Sequence, residues 1–322
     1  MINFIIKKQF KKASKEMLLG DLESINKQKD NKTVQVDTYN YLDDKKSYSL
    51  LNYYYKKDEP TKGKDLIIDI HGGAWIYGDN NTNGLFCMDF ADKNYIVTSF
   101  TYRLLIDNHN LIDIVHDIFD SINYILKDPN NYGYNKDNIS LFGDSAGGHL
   151  LLLFLAINNS TELQKIYGVN HIDINIKNVI LNHPAPFLLD LILIKKHDFI
   201  NYLAKRTFNK MMFNNNKKKN ILRNNSSIDQ IIDSIDPNLN YLLISSNGDR
   251  VCQEQAFRLH QLFIDNNIKH DFYFEKDERA FHVYNVLEPD KELGINCNNY
   301  IYNFLKSTKS WFVRIIIYNN SR

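Results

Sequence analysis

The stretch Asn138-Ile139-Ser140-Leu141-Phe142-Gly143-Asp144-Ser145-Ala146-Gly147-Gly148-His149-Leu150-Leu151-Leu152-Leu153-Phe154-Leu155-Ala156 decides the fold. Its opening, residues 138–142, is short, apolar and bounded by polar residues, which predicts a buried strand. Its close, residues 150–156, is continuously apolar and predicts a buried helix. Between them a serine stands two residues from a glycine on either side. A strand reversing sharply into a helix needs that arrangement, because a Cβ at 143 or 147 would crowd the turn. Ser145 is then expected at the tip of a strained elbow, beside the free N–H groups and positive dipole end of the helix. A pentapeptide of this kind also arises by chance as a glycine-rich turn with an incidental serine. The rest of the chain has to choose between the two.

Working outward, the same rhythm repeats. Upstream, Leu66–Ile70 predicts a buried strand that runs directly into His71-Gly72-Gly73-Ala74-Trp75, and Tyr95–Phe100 predicts another that ends at Tyr102-Arg103-Leu104. From Leu111 to Leu126 apolar residues recur at helical spacing, and Asp128-Pro129 ends the pattern. Downstream, strands are expected at Ile176–Leu181, Tyr241–Ser245 and His270–Phe274, and helices at Cys252–Ile264 and Asn298–Leu305. Two β-rich stretches, Thr33–Tyr39 and Tyr48–Tyr55, precede this core. Residues 1 to about 30 form a lysine-rich helical extension. Between about 186 and 236 the alternation breaks, which predicts an inserted helical cap with a solvated Lys/Asn run at 214–220. The whole, residues 1–322, reads as one α/β domain with a mostly parallel sheet covered by helices on both faces.

Composition narrows the function. A net charge of +1 gives no general attraction to nucleic acid or acidic membranes, and no aromatic residues interleave the basic run. The three cysteines, Cys87, Cys252 and Cys297, are scattered, without metal-ligand spacing, and point to a reducing, cytoplasmic setting. The N-terminus has the wrong charge order for a secretory signal. The apolar tail Trp311–Tyr318, interrupted by Arg314, is too short to span a bilayer and is expected to pack on the domain. Nucleotide binding fails for want of G-x-x-x-x-G-K-[ST], and His71-Gly72-Gly73 lacks G-x-G-x-x-G spacing. No cofactor or metal is expected.

Chemistry is carried by residues that parallel strands deliver to one sheet edge. A serine hydroxyl needs a base, and the base needs an orienting group. Asp249 follows the strand at 241–245, and His282 follows the next strand, giving the order Ser145, Asp249, His282. His71-Gly72-Gly73-Ala74-Trp75 follows an earlier strand at the same edge and can turn backbone N–H groups inward. Other candidates rank lower. His183 at a strand end could be the base but precedes every good acid. Asp144 and Asp117 read as structural carboxylates and His71 as a structural hydrogen bonder. Asp277 and Glu278 lie too close to His282 in sequence, and Glu254 lies a turn into its helix.

The combination HGGAW, YRL, GDSAGGH, a late GD and a later FH resembles the α/β-hydrolase superfamily. It is most similar to the carboxylesterase and arylformamidase branch related to hormone-sensitive lipase, over roughly residues 60–306. Alanine at 74, in place of a third glycine, is closer to the formamidase and feruloyl-esterase-like members. The resemblance implies Ser145 as nucleophile, His282 as general base and Asp249 as orienting acid. It implies an oxyanion hole of Gly72, Gly73, Ala74 and Ala146, the last three supplying amides and Gly72 the turn. The expected activity is hydrolysis of a small carboxylic ester through an acyl-enzyme. A formamidase, amidase or peptidase would use the same machinery, and a silent binding protein could keep the same fold. Short soluble acyl substrates are expected, with no stable membrane association. The best lid segment, Phe187–Ile194, is about two helical turns long and is followed by Lys195, Lys196, His197 and Asp198.

Overall fold

In a computed structural model the described residues are 2–20, 22–43, 46–192, 199–213, 219–307 and 314–318. Two helices, α1 (Ile2–Gly20) and α2 (Leu22–Lys29), lead into strands β1 (Val34–Asn40), β2 (Leu50–Lys56) and β3 (Asp65–Ile70). Helix α3 (Gly84–Asp92), β4 (Ile96–Phe100), α4 (Leu111–Lys127), β5 (Asn135–Asp144), α5 (Ala146–Asn159), α6 (Thr161–Tyr167) and β6 (Ile176–Asn182) follow. Helices α7 (Leu188–Ile192), α8 (Phe199–Phe213), α9 (Lys219–Asn224) and α10 (Ile228–Ile231) separate β6 from β7 (Asn240–Ser246). The chain closes with α11 (Gln253–Asp265), β8 (His270–Glu275), α12 (Tyr284–Leu287), α13 (Glu292–Lys306) and β9 (Arg314–Tyr318).

Among the described residues the strands form one nine-stranded sheet in the order β1-β2-β4-β3-β5-β6-β7-β8-β9. The β1–β2 and β2–β4 pairs are antiparallel and the rest parallel. Strand alternation splits the core in two. Leu66, Ile68, Leu141, Val179 and Leu243 join α4, α5 and α11 on one face. Ile67, Phe142, Ile180 and Leu242 join α3, α12 and α13 on the other. Both faces are therefore apolar, and so the central strands read as nearly continuous apolar runs.

Helix α4 shows how local sequence sets an element. Asn110 and Asp113 make a reciprocal capping box, and Asp128 ends the helix in the left-handed conformation at φ 48°. Helix α6 is bounded by an N-cap at Ser160 and by Gly168 in the left-handed conformation at φ 74°. Helix α13 starts six residues before the expected 298, and its early residues Gly294, Cys297 and Asn298 are already buried. The helices α7–α10 lie in the segment expected to be a cap, while residues 193–198 and 214–218, with most of its Lys/Asn run, lie outside the described residues. In the tail, β9 extends the sheet beside β8, and residues 311–313 lie outside the described ones. No helix among the described residues is long and apolar enough to cross a membrane.

Candidate active site

The site begins where β5 meets α5. Ser145 adopts φ 51° and ψ −117°, a backbone region essentially reserved for glycine and costing about 1–3 kcal/mol. Three backbone bonds impose it: Ser145 N–H donates to the Asn182 carbonyl at 2.9 Å, and the Ser145 carbonyl accepts from Ala185 at 3.0 Å and His149 at 3.3 Å. Neighbouring β6 thus clamps the elbow from the side. Gly147 lets the turn close on the loop after β3, for a Cβ there would overlap the Ile70 carbonyl and sit 2.7 Å from the His71 oxygen. We expect Gly147→Ala to destabilise the protein by roughly 1–3 kcal/mol through overpacking, read as a lowered denaturant midpoint.

Loops after β5, β7 and β8 bring three side chains together. Ser145 Oγ–H donates to His282 Nε2 at 2.9 Å, and His282 Nδ1–H donates to Asp249 Oδ1 at 3.0 Å. That oxygen also accepts the amides of Val251 at 2.8 Å and Cys252 at 3.0 Å, which orient the carboxylate. Burial pushes the Asp249 carboxyl up. Hydrogen bonding to His282, the charges of His282 and His183, and the Cys252 amide outweigh it and hold the group below its ordinary value. Asp249 therefore stays an acceptor, fixing the proton of His282 on Nδ1 and leaving Nε2 to face the serine.

The glycine loop follows β3 at the same edge. Gly73, Ala74 and Trp75 take φ 111°, 50° and 60° in succession, and the Gly73 carbonyl accepts from Ile76 at 3.0 Å and Tyr77 at 3.1 Å. Such a run turns consecutive amides to one side, a geometry suited to an anion. The amides of Gly73, Ala74 and Ala146 have no acceptor among the described residues. His71 braces the loop from below: its ring stacks on Tyr102 with centroids 4.2 Å apart, and Tyr102 Oη donates to the His71 carbonyl at 2.8 Å.

Residues 51–263 match the BD-FAE family. The chain belongs to that family. It is an α/β-hydrolase of the carboxylesterase branch related to hormone-sensitive lipase. It is similar to esterase LipC of Mycobacterium tuberculosis, at 28% identity over 36% of this chain and 28% of that protein. Rabbit (Oryctolagus cuniculus) arylacetamide deacetylase is 28% identical over 43% of this chain and 34% of its own. The matched stretches thus span about a third or less of these curated relatives. The structure of esterase B from Lactobacillus rhamnosis superposes with a TM-score of 0.81 and 24% identity, covering 92% of this chain and 94% of that one. That likeness establishes the α/β-hydrolase fold.

Against this family frame the remaining candidates separate. Gly72, expected in the oxyanion hole for its turn and not for its amide, donates its N–H to Asp144 Oδ1 at 2.8 Å and has none left for a substrate. It serves the turn alone. Asp144 points away from Ser145 to make that bond. His183 is buried 5.8 Å from the His282 ring, edge to face. Burial first, then the charge of His282, lowers its pKa to about 3. Its Nε2 pairs at 3.0 Å with Ser246 Oγ, which donates to the Ala280 carbonyl at 2.6 Å, so His183 braces the loop that carries His282. Asp117 is buried and bound by Arg103, whose Nη2 lies 2.7 Å from Oδ1. Asp277 is turned to Arg279 at 2.6 Å, and Glu278 is exposed. Glu254 lies in the first turn of α11.

A tie between Trp75 and His149 escaped the sequence reading. Trp75 Nε1–H donates to His149 Nδ1 at 3.3 Å, and His149 Nε2–H donates to the Ser226 carbonyl at 2.7 Å. Trp75 also meets Phe208 of α8 edge-on at 5.7 Å, and Phe208 meets Phe10 of α1 at 6.4 Å. Burial lowers the His149 pKa to about 4, so the ring stays neutral and keeps both bonds. The glycine loop, the elbow helix and the segment between β6 and β7 are thereby tied together. Only the His after GDSAGG could have signalled it.

Proposed function

We propose that this chain is a serine hydrolase cleaving small, soluble carboxylic esters through an acyl-enzyme. The carrying observation is the continuous hydrogen-bond line from Ser145 to His282 to Asp249, at 2.9 and 3.0 Å. In this reading His282 Nε2 takes the Ser145 proton as Oγ attacks the ester carbonyl carbon. The carbonyl oxygen becomes an oxyanion received by the amides of Gly73, Ala74 and Ala146, each such donor contributing about 10²–10³ in rate. His282 passes the proton to the departing alkoxide, and the alcohol leaves. Water then attacks the acyl-serine, giving a proton to His282, and the acid departs as Ser145 recovers its hydrogen. Asp249 holds the imidazole tautomer and faces its positive charge throughout.

The helices between β6 and β7, with α1 against α8, act as a cap that bounds the acyl site. Their buried Met212, Phe213 and Leu222 favour a closed apolar wall over an opening lipid-docking face. Esterase B carries a C4 tributyrin phosphonate, which is in keeping with a short acyl chain. The test is a p-nitrophenyl ester series from acetate upwards, measured below and above each solubility limit. Saturation with dissolved substrate and falling activity with longer chains are expected. A jump in rate across the solubility limit would make it a lipase. No turnover and no labelling by a fluorophosphonate would make it a silent binding protein.

A further inference from the structure

Beneath the elbow lies a carboxylate pair that the reaction does not touch. Asp69 of β3 is fully buried; its Oδ1 accepts from Asn83 Nδ2 at 2.8 Å and its Oδ2 pairs with Ser99 Oγ at 2.7 Å. The same Asn83 nitrogen donates its second hydrogen to Asp144 Oδ1 at 2.7 Å. That Asp144 oxygen is the one gripping the Gly72 amide. One side-chain amide therefore bridges two buried carboxyl groups, one of which anchors the glycine loop. The groups facing Asp69 are Asp144 on β5, Asn83 and Cys87 at α3, Ser99 on β4, and the phenols of Tyr54 and Tyr102. None is a cation. Two carboxylates so close in an apolar interior cannot both ionise cheaply and are expected to share a proton. Asp144 Oδ1 accepts two N–H donors, from Gly72 and Asn83, whereas Asp69 accepts one, from Asn83, beside the Ser99 hydroxyl. The proton belongs on Asp69.

We propose that Asp69 and Asn83 are positioning residues: a neutral Asp69, bridged by Asn83, leaves Asp144 as the single anion that holds the Gly72 amide and aims the oxyanion loop. Burial, and next the Asp144 charge, push the Asp69 carboxyl up to about 7 against the pull of Asn83 and Ser99. Above that pH a second negative charge competes for the Asn83 amide and repels Asp144. The grip on Gly72 loosens, and the neighbouring amides lose their aim. The loss falls on kcat more than on KM, because oxyanion donors act on the transition state.

The inference rests on the hydrolase reading, so two readouts are used on the full chain. With p-nitrophenyl acetate, wild-type kcat should fall about tenfold on the alkaline side with KM nearly constant, as a misaimed donor would cause. The Asp69→Asn profile should lack that fall; identical profiles would overturn the proposal. Melting temperature against pH supplies the second readout. A carboxyl with a raised folded pKa contributes stability that is lost as pH climbs from the unfolded value, about 4, through about 7. Wild type should lose melting temperature relative to Asp69→Asn across that window and run parallel above it. Parallel curves throughout would overturn the carboxyl pair. The expected melting difference without any ester turnover would support the pair and sink the hydrolase reading alone. Should Asp69→Asn fail to fold, Ser99→Ala removes a bond that favours the Asp69 anion and should move the kcat fall to higher pH. An unmoved fall would overturn the proposal.

Discussion

Ser145→Ala is expected to lower kcat for an activated short ester by about 10⁶, to the residual rate that oxyanion donors and binding alone support. The change removes one half-exposed hydroxyl from an elbow whose shape is set by backbone bonds to Asn182 and Ala185. Alanine keeps the Cβ and the backbone, so the melting temperature should stay close to that of the wild type. The strained φ of 51° is as unfavourable for alanine as for serine. Fluorophosphonate labelling should vanish with turnover. A variant that retained comparable turnover at equal purity would remove Ser145 from the nucleophile's role.

Asp249→Asn should cost roughly 10⁴ in kcat with little change in KM. Asparagine presents an NH₂ or a carbonyl where the carboxylate accepted three donors from His282, Val251 and Cys252. All three donors reach the one oxygen Oδ1, so the asparagine carbonyl takes that place and its NH₂ the position of Oδ2, which has no hydrogen-bond partner among the described residues. The carbonyl carries no negative charge to fix the hydrogen on Nδ1 or to face the imidazolium that forms when His282 takes the Ser145 proton. Asp277→Asn and Glu278→Gln are the controls. Asp277 is engaged with an exposed Arg279 and Glu278 is exposed, so each should change kcat by less than about twofold, as for other surface charges. A large loss in either control with Asp249→Asn active would transfer the acid's role.

The primary sequence by itself determined the strand–turn–helix around Ser145, the alternation that makes a parallel sheet, and the order in which Ser145, Asp249 and His282 reach one edge. These are legible because they rest on local rules: glycine where a turn closes, apolar runs where a strand is buried on both faces, and short loops at strand ends. Only the tertiary structure showed what closes the Gly72 amide. Gly72 and Gly73 look alike in the sequence, yet one amide is taken by Asp144, seventy-two positions away. The ties of His149 to Trp75 and Ser226, of His183 to Ser246, and of Asn83 to Asp69 and Asp144 likewise join residues distant along the chain. No periodicity records such pairs. A buried polar side chain is placed by whichever partner packing brings within hydrogen-bond reach, and that is settled only when the sheet and its helices have closed around it.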